Sequence, residues 1–143
     1  MNDGLFSQVD HVGLAVRRLD DGVKFWSAFG LHVEEVEEIP EQRVRTAAIH
    51  LGQVRLELLE PTADDSPVAK FLNDRGEGVH HVGYRVARCE EAIEHCKKLG
   101  MRMVDEVPRR GAGQARIAFV HPKSAQGVLL ELTERAGGAH RRS

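Results

Sequence analysis

Apolar and polar positions alternate from His11 to Val16, with Val12, Leu14 and Val16 set against His11, Gly13 and Ala15, the period-2 pattern of a strand buried on one face. A helical stretch follows in which Asp20 and Asp21 can cap a segment carrying Val23, Phe25, Trp26 and Phe29, and Gly30 supplies its stop. Three short strands are predicted next, at His32 to Val36, Arg43 to His50 and Val54 to Leu59. The pattern then repeats. A strand from His81, a helix over Glu90 to Leu99 closed by Gly100, and strands at Arg102 to Glu106, Ala115 to Val120 and Val128 to Leu132 complete a second βαβββ series. Between the two series, Pro61, an Asp65/Ser66 cap, Pro67 at the first helical position and Gly76 and Gly78 predict a short linker helix reaching about Asn73.

The residues themselves repeat. HVGLAV at His11 to Val16 returns as HVGYRV at His81 to Val86, an offset of 70 (81 − 11), and at that offset Val23 meets Ile93, Phe29 meets Leu99 and Gly30 meets Gly100. VRLELLE at Val54 to Glu60 matches VLLELTE at Val128 to Glu134 at an offset of 74 (131 − 57), so the second copy holds about four extra residues. A period this long is not that of a solenoid, and two copies suggest a pseudo-twofold pair sharing one core. The expected class is α+β, with module one at about 9–60, a linker helix at about 61–78 and module two at about 79–135 in one domain. The Gly- and Arg-rich residues 136–143 are expected to be disordered.

Composition fits one core: the chain has 143 residues, 41% of them hydrophobic. A formal charge of −2 provides no basic field for nucleic acid or an anionic membrane. No run approaches the roughly 18 apolar residues of a membrane span, and Met1 to Gln8 lacks signal-peptide character, so a cytoplasmic location is expected. Cys89 and Cys96 fall in one predicted helix about two turns, roughly 10 Å, apart, too far to bridge.

Four polar residues stand at repeat-related places on apolar strands. His11 and His81 open the first strand of each module, and Glu57 and Glu131 lie in the last strand of each, on the face away from Leu56/Leu58 and Leu130/Leu132. If the sheet curls, that face becomes a cup. Two imidazoles and two carboxylates suit a divalent cation that keeps positions open for substrate oxygens. His80 must face the other side of its strand and is expected to pack. His121 fits either the cup mouth or a plain turn before Pro122, and Phe25 and Trp26 have the spacing of core residues.

Paired βαβββ modules with these ligands resemble the vicinal-oxygen-chelate (glyoxalase/bleomycin resistance) superfamily. Longer runs resemble its methylmalonyl-CoA epimerases: PEQ at Pro40 to Gln42, ELLEPT at Glu57 to Thr62, DSPVAKFL at Asp65 to Leu72, GEGVHHV at Gly76 to Val82, and PRRGAGQARIAFVHPKSAQGVLLEL at Pro108 to Leu132. The likeness runs from about Val9 to Arg135. It implies two tandem βαβββ modules forming a cupped, incomplete eight-stranded β-barrel with helices outside. It also implies His11, His81 and Glu131 as metal ligands with Glu57 as the fourth, where some relatives carry glutamine. Thr46 stands where some relatives have a glutamate suited to proton transfer.

The implied reaction interconverts (2R)- and (2S)-methylmalonyl-CoA by C2 proton abstraction through a metal-stabilised enolate. Glu131 is the expected acid/base and Glu41 in the PEQ run a second. Lys123, Arg109 and Arg110 are expected contacts for the CoA phosphates, since no P-loop pattern is present. The ion is expected to be divalent, cobalt ahead of manganese, zinc or nickel, and the assembly a homodimer. A glyoxalase-like isomerase of thiol conjugates would use the same ligands. A non-catalytic drug-binding protein would use the same cup and need no metal.

Overall fold

The computed structural model describes residues 4–136. Of the tail expected to be disordered, Ala136 is an exposed turn and 137–143 lie outside the described residues. The chain divides into two compact units, one of residues 11–80 and one of the described residues of 1–10 and 81–143. The division falls beside the sequence repeat's own junction.

The unit of residues 11–80 holds the second half of β1 (Phe6–Ala15), α1 (Leu19–Ser27), β2 (Glu37–Ile39), β3 (Val44–Leu51), β4 (Val54–Pro61) and α2 (Pro67–Arg75). Its strands run β2-β3-β4-β1. β3 and β4 form an antiparallel hairpin whose two-residue turn places Gly52 at a φ of 65°. β4 is parallel to β1, which demands a crossover, and α1 lies in it. Val16, Leu19, Ala47, Ile49 and Leu58 form the core, with Leu14, Val23, Trp26 and Leu56 packed against it.

The second unit repeats this plan. β5 (Gly78–Val86) leads into α3 (Cys89–Lys98), β6 (Arg109–Arg110), β7 (Arg116–Val120) and β8 (Leu130–Glu134), in the order β5-β8-β7-β6 with β5 and β8 parallel. Val86, Cys89, Ile93, Cys96, Ala118, Val120 and Leu132 form its core. Gly30 and Gly100, at φ of 78° and 84°, follow the two helices they were expected to end.

Several sequence expectations are corrected. α1 begins at Leu19 after Arg18, whose capping position has no side-chain hydrogen bond; Asp20 and Asp21 occupy the first turn, where their charge meets the helix dipole. At His32 to Val36 there is only a Val33–Ile49 bridge, and the strand forms at Glu37–Ile39, where Ile39 is buried. Likewise Arg102 to Glu106 yields a single bridge at Met103, and the edge strand is Arg109–Arg110. Phe25 is exposed and meets Trp26 and Phe29 edge-on, whereas Trp26 joins the core as expected. The α2 cap is as expected: the Ser66 hydroxyl accepts from Val68 N at 3.1 Å, ahead of Pro67.

Cys89 and Cys96 are buried and unbridged on α3. Burial, reinforced by the Glu134 charge, pushes the Cys89 thiol from 9.0 up to about 12, and burial also raises Cys96. The stabilising preference for the protonated Cys89 is therefore fully present below 9.0 and is lost as pH climbs towards about 12. At pH 8 a disulfide-exchange reagent is expected to titrate neither thiol in the native protein and both after unfolding in guanidinium. Rapid labelling of the native protein would contradict this burial.

Candidate metal centre

Each unit builds a histidine–glutamate pair by the same local route. In the unit of residues 11–80, β4 turns Leu56 and Leu58 into the core, so period-2 alternation sends Arg55 and Glu57 to the opposite face. On neighbouring β1, His11 stands opposite Arg55 and Gly13 opposite Glu57. Gly13 places no side chain beside the carboxylate, and His11 Nε2 lies 3.6 Å from Glu57 Oε1. Both residues are buried. The other oxygen, Glu57 Oε2, accepts from Arg55 Nη2 at 3.1 Å.

The second unit matches it element for element. Leu130 and Leu132 face the core, Glu131 faces away, and Gly83 of β5 stands opposite it. His81 Nε2 lies 3.1 Å from Glu131 Oε1, both buried. Glu131 Oε2 accepts from the Thr133 hydroxyl at 2.9 Å. Phe119, opposite Glu131 on β7, sets its ring edge-on to His81 with centroids 5.4 Å apart.

Each carboxylate thus presents one oxygen to an imidazole and has the other held by a side chain two residues along its own strand. A buried carboxylate is costly unless compensated. The donor set, an imidazole nitrogen with a carboxylate oxygen twice over, fits a divalent ion, and second-side hydrogen bonds of this kind orient ligand carboxylates. Arg55 and Thr133 were not singled out from sequence, although strand alternation alone would place each on its glutamate's face.

The other expected site residues take varied positions. Glu41 is exposed on the 3₁₀ turn Pro40–Gln42. Thr46 is buried on β3, two residues from Ala48, which pairs with Glu57, and so shares that face. Arg109 Nε lies 3.1 Å from Asp105 Oδ1, and its guanidinium stacks 5.6 Å from the Phe119 centroid, so it braces the ring that meets His81. Arg110 is half-buried beside it, and Lys123 is exposed on the turn Pro122–Ser124. His121 makes the plain turn: its Nδ1 accepts from Lys123 N at 3.0 Å. His80 packs edge-on against Phe71 at 5.2 Å, as expected of its face.

A second polar cluster lies beneath β1 within the second unit. Asp10, fully buried, accepts from Arg85 Nε and Nη2 at 2.9 and 2.7 Å, and from Arg135 Nε at 3.1 Å with a further bond to Arg135 Nη2. Arg135 Nη1 also donates to Ala112 O at 2.9 Å. Two guanidiniums therefore fix the backbone one residue ahead of His11.

Residues 10–119 match the family described as the Glyoxalase/Bleomycin resistance protein/Dioxygenase superfamily. The chain belongs to this superfamily. Among superfamily relatives, it is 36% identical to the uncharacterized protein YqjC of Bacillus subtilis, over 94% of this chain and 96% of that protein. It is 34% identical to human mitochondrial methylmalonyl-CoA epimerase, over 89% of this chain and 73% of the human protein. A solved Streptomyces coelicolor methylmalonyl-CoA epimerase, in complex with 2-nitronate-propionyl-CoA, superposes with a TM-score of 0.90 at 38% identity, covering 93% of this chain and 97% of that one. The α+β class and the two βαβββ modules expected from the sequence are those of the superfamily. Among the described residues no helix is long and apolar enough to cross a membrane.

Proposed function

We propose that this superfamily member is a metal-dependent methylmalonyl-CoA epimerase in which His11, Glu57, His81 and Glu131 hold one divalent ion. The observation that carries the reading is the duplicated, buried histidine–glutamate pair, on a chain whose relatives include epimerases named for this substrate. When bound, the ion supplies Lewis-acid stabilisation of the negative charge that develops as the C2 proton leaves.

The chain's own residues do the rest. Arg55 and Thr133 each hold the outer oxygen of a ligand carboxylate, which keeps the inner oxygen directed to its histidine. Phe119, braced by Arg109, packs the His81 ring and limits water beside it. Inversion at C2 needs a proton group on each face of the substrate. Glu131 would serve one face as proton acceptor and donor, and Glu41, on its exposed turn, would be the proton carrier for the other. Arg109, Arg110 and Lys123 are the cations assigned to the CoA phosphates.

With cobalt supplied, (2S)-methylmalonyl-CoA is expected to yield both epimers by chiral analysis, while the glutathione hemithioacetal of methylglyoxal is not isomerised. Turnover of the hemithioacetal alone would replace this reading with the glyoxalase one. Failure to bind any divalent ion, with tight binding of a drug, would point to a sequestering protein.

A further inference from the structure

Arg55 is a cation fixed at the His11–Glu57 pair. It sits opposite His11 on one side and His50 on the other, in the row next to Glu57. Its side chain is only 19% exposed, and its Nε is sealed from solvent without a hydrogen-bond partner. Burying a guanidinium is costly, and its one protein hydrogen bond among the described residues, to Glu57 at 3.1 Å, leaves the sealed Nε donor unused. For orienting Glu57 a neutral donor is sufficient, since Thr133 does the same for Glu131 with a hydroxyl.

What the guanidinium adds is charge. The Glu57 carboxylate and Arg55 cancel, so a divalent ion held beside them keeps the positive field that Glu57 alone would have reduced. That field favours a ligand that brings a negative charge of its own. Resting on the epimerase reading, we propose that Arg55 is a specificity-determining residue, selecting acyl thioesters that carry a free carboxylate over neutral acyl thioesters of the same CoA tail.

The test is calorimetric binding of malonyl-CoA and propionyl-CoA to cobalt-loaded wild type, R55Q and R55K. The shared tail cancels in the ratio of the two dissociation constants. Wild type is expected to prefer malonyl-CoA, R55Q to lose about tenfold or more of that preference, and R55K to keep most of it. R55Q is also expected to take up cobalt at least as tightly as wild type, because a neighbouring positive charge has been removed. Equal ratios in wild type and R55Q overturn the proposal. So does loss of cobalt uptake in R55Q, which would make Arg55 a support for Glu57 only, and so does an R55K as indiscriminate as R55Q. If wild type racemises methylmalonyl-CoA yet binds both probes equally, the Arg55 inference falls and the epimerase reading stands; if it binds neither probe, both fall.

Discussion

Glu131→Ala is expected to abolish tight cobalt binding and to lower epimerisation by about 10³-fold, the rate equivalent of losing about 4 kcal/mol of charge stabilisation. Two losses coincide in this substitution: the carboxylate oxygen 3.1 Å from His81 disappears, and with it the group assigned to one face of C2. Glu131→Gln separates them, since the amide can keep its oxygen towards His81 while its NH2 donates to the Thr133 hydroxyl. Metal uptake is expected to be partly kept in Glu131→Gln while turnover is not. Glu57→Gln should do less harm, because the amide keeps an oxygen for the ion and no proton transfer is assigned to Glu57. Dialysis against cobalt with metal analysis, followed by steady-state kinetics on the loaded variants, checks the order Glu131→Ala, Glu131→Gln, Glu57→Gln. A Glu131→Ala variant that binds cobalt normally would remove Glu131 from the ligand set.

Asp10→Ala is expected to destabilise the fold by about 3–5 kcal/mol, as when one partner of a buried ion pair is deleted. Arg85 and Arg135, with 17% and 11% of their side chains exposed, would keep two charges facing each other across an empty place. Equilibrium unfolding in urea, with the slope of the transition compared between proteins, measures the loss. Because Asp10 precedes His11 on β1, the variant that still folds is also expected to bind metal more weakly. A loss below about 1 kcal/mol would mean that solvent enters the cluster and screens the arginines.

How much of this was legible depended on the range of the interaction that decided each feature. The repeat pointed to two like halves, because HVGLAV and HVGYRV carry strand alternation and a candidate ligand histidine in the same six residues. Glu57 and Glu131 were legible for the same reason: a carboxylate flanked by leucines on a strand must face away from the core. The Ser66–Pro67 start of α2 is purely local chemistry and was readable. The edge strands were not. The strand was expected at His32 to Val36, yet it is the burial of Ile39 opposite Val44 that fixes where β2 pairs. The Asp10 cluster joins residues 75 and 125 positions apart, so no window along the chain contains it. Arg55 was within reach, two residues from Glu57, but a charged residue on a strand usually faces water, and only its burial marks it as part of the site.

The proposed removal and return of the C2 proton, by means of a metal held on two repeated histidine–glutamate pairs, can be followed on (2S)-methylmalonyl-CoA by NMR in D₂O, with chelator-stripped protein and with the same protein resupplied with cobalt. Exchange of that proton for deuterium together with racemisation, present with cobalt and absent without it, is the predicted result. Exchange at equal rate in the stripped protein, or silence in a sample shown to hold cobalt, would contradict it.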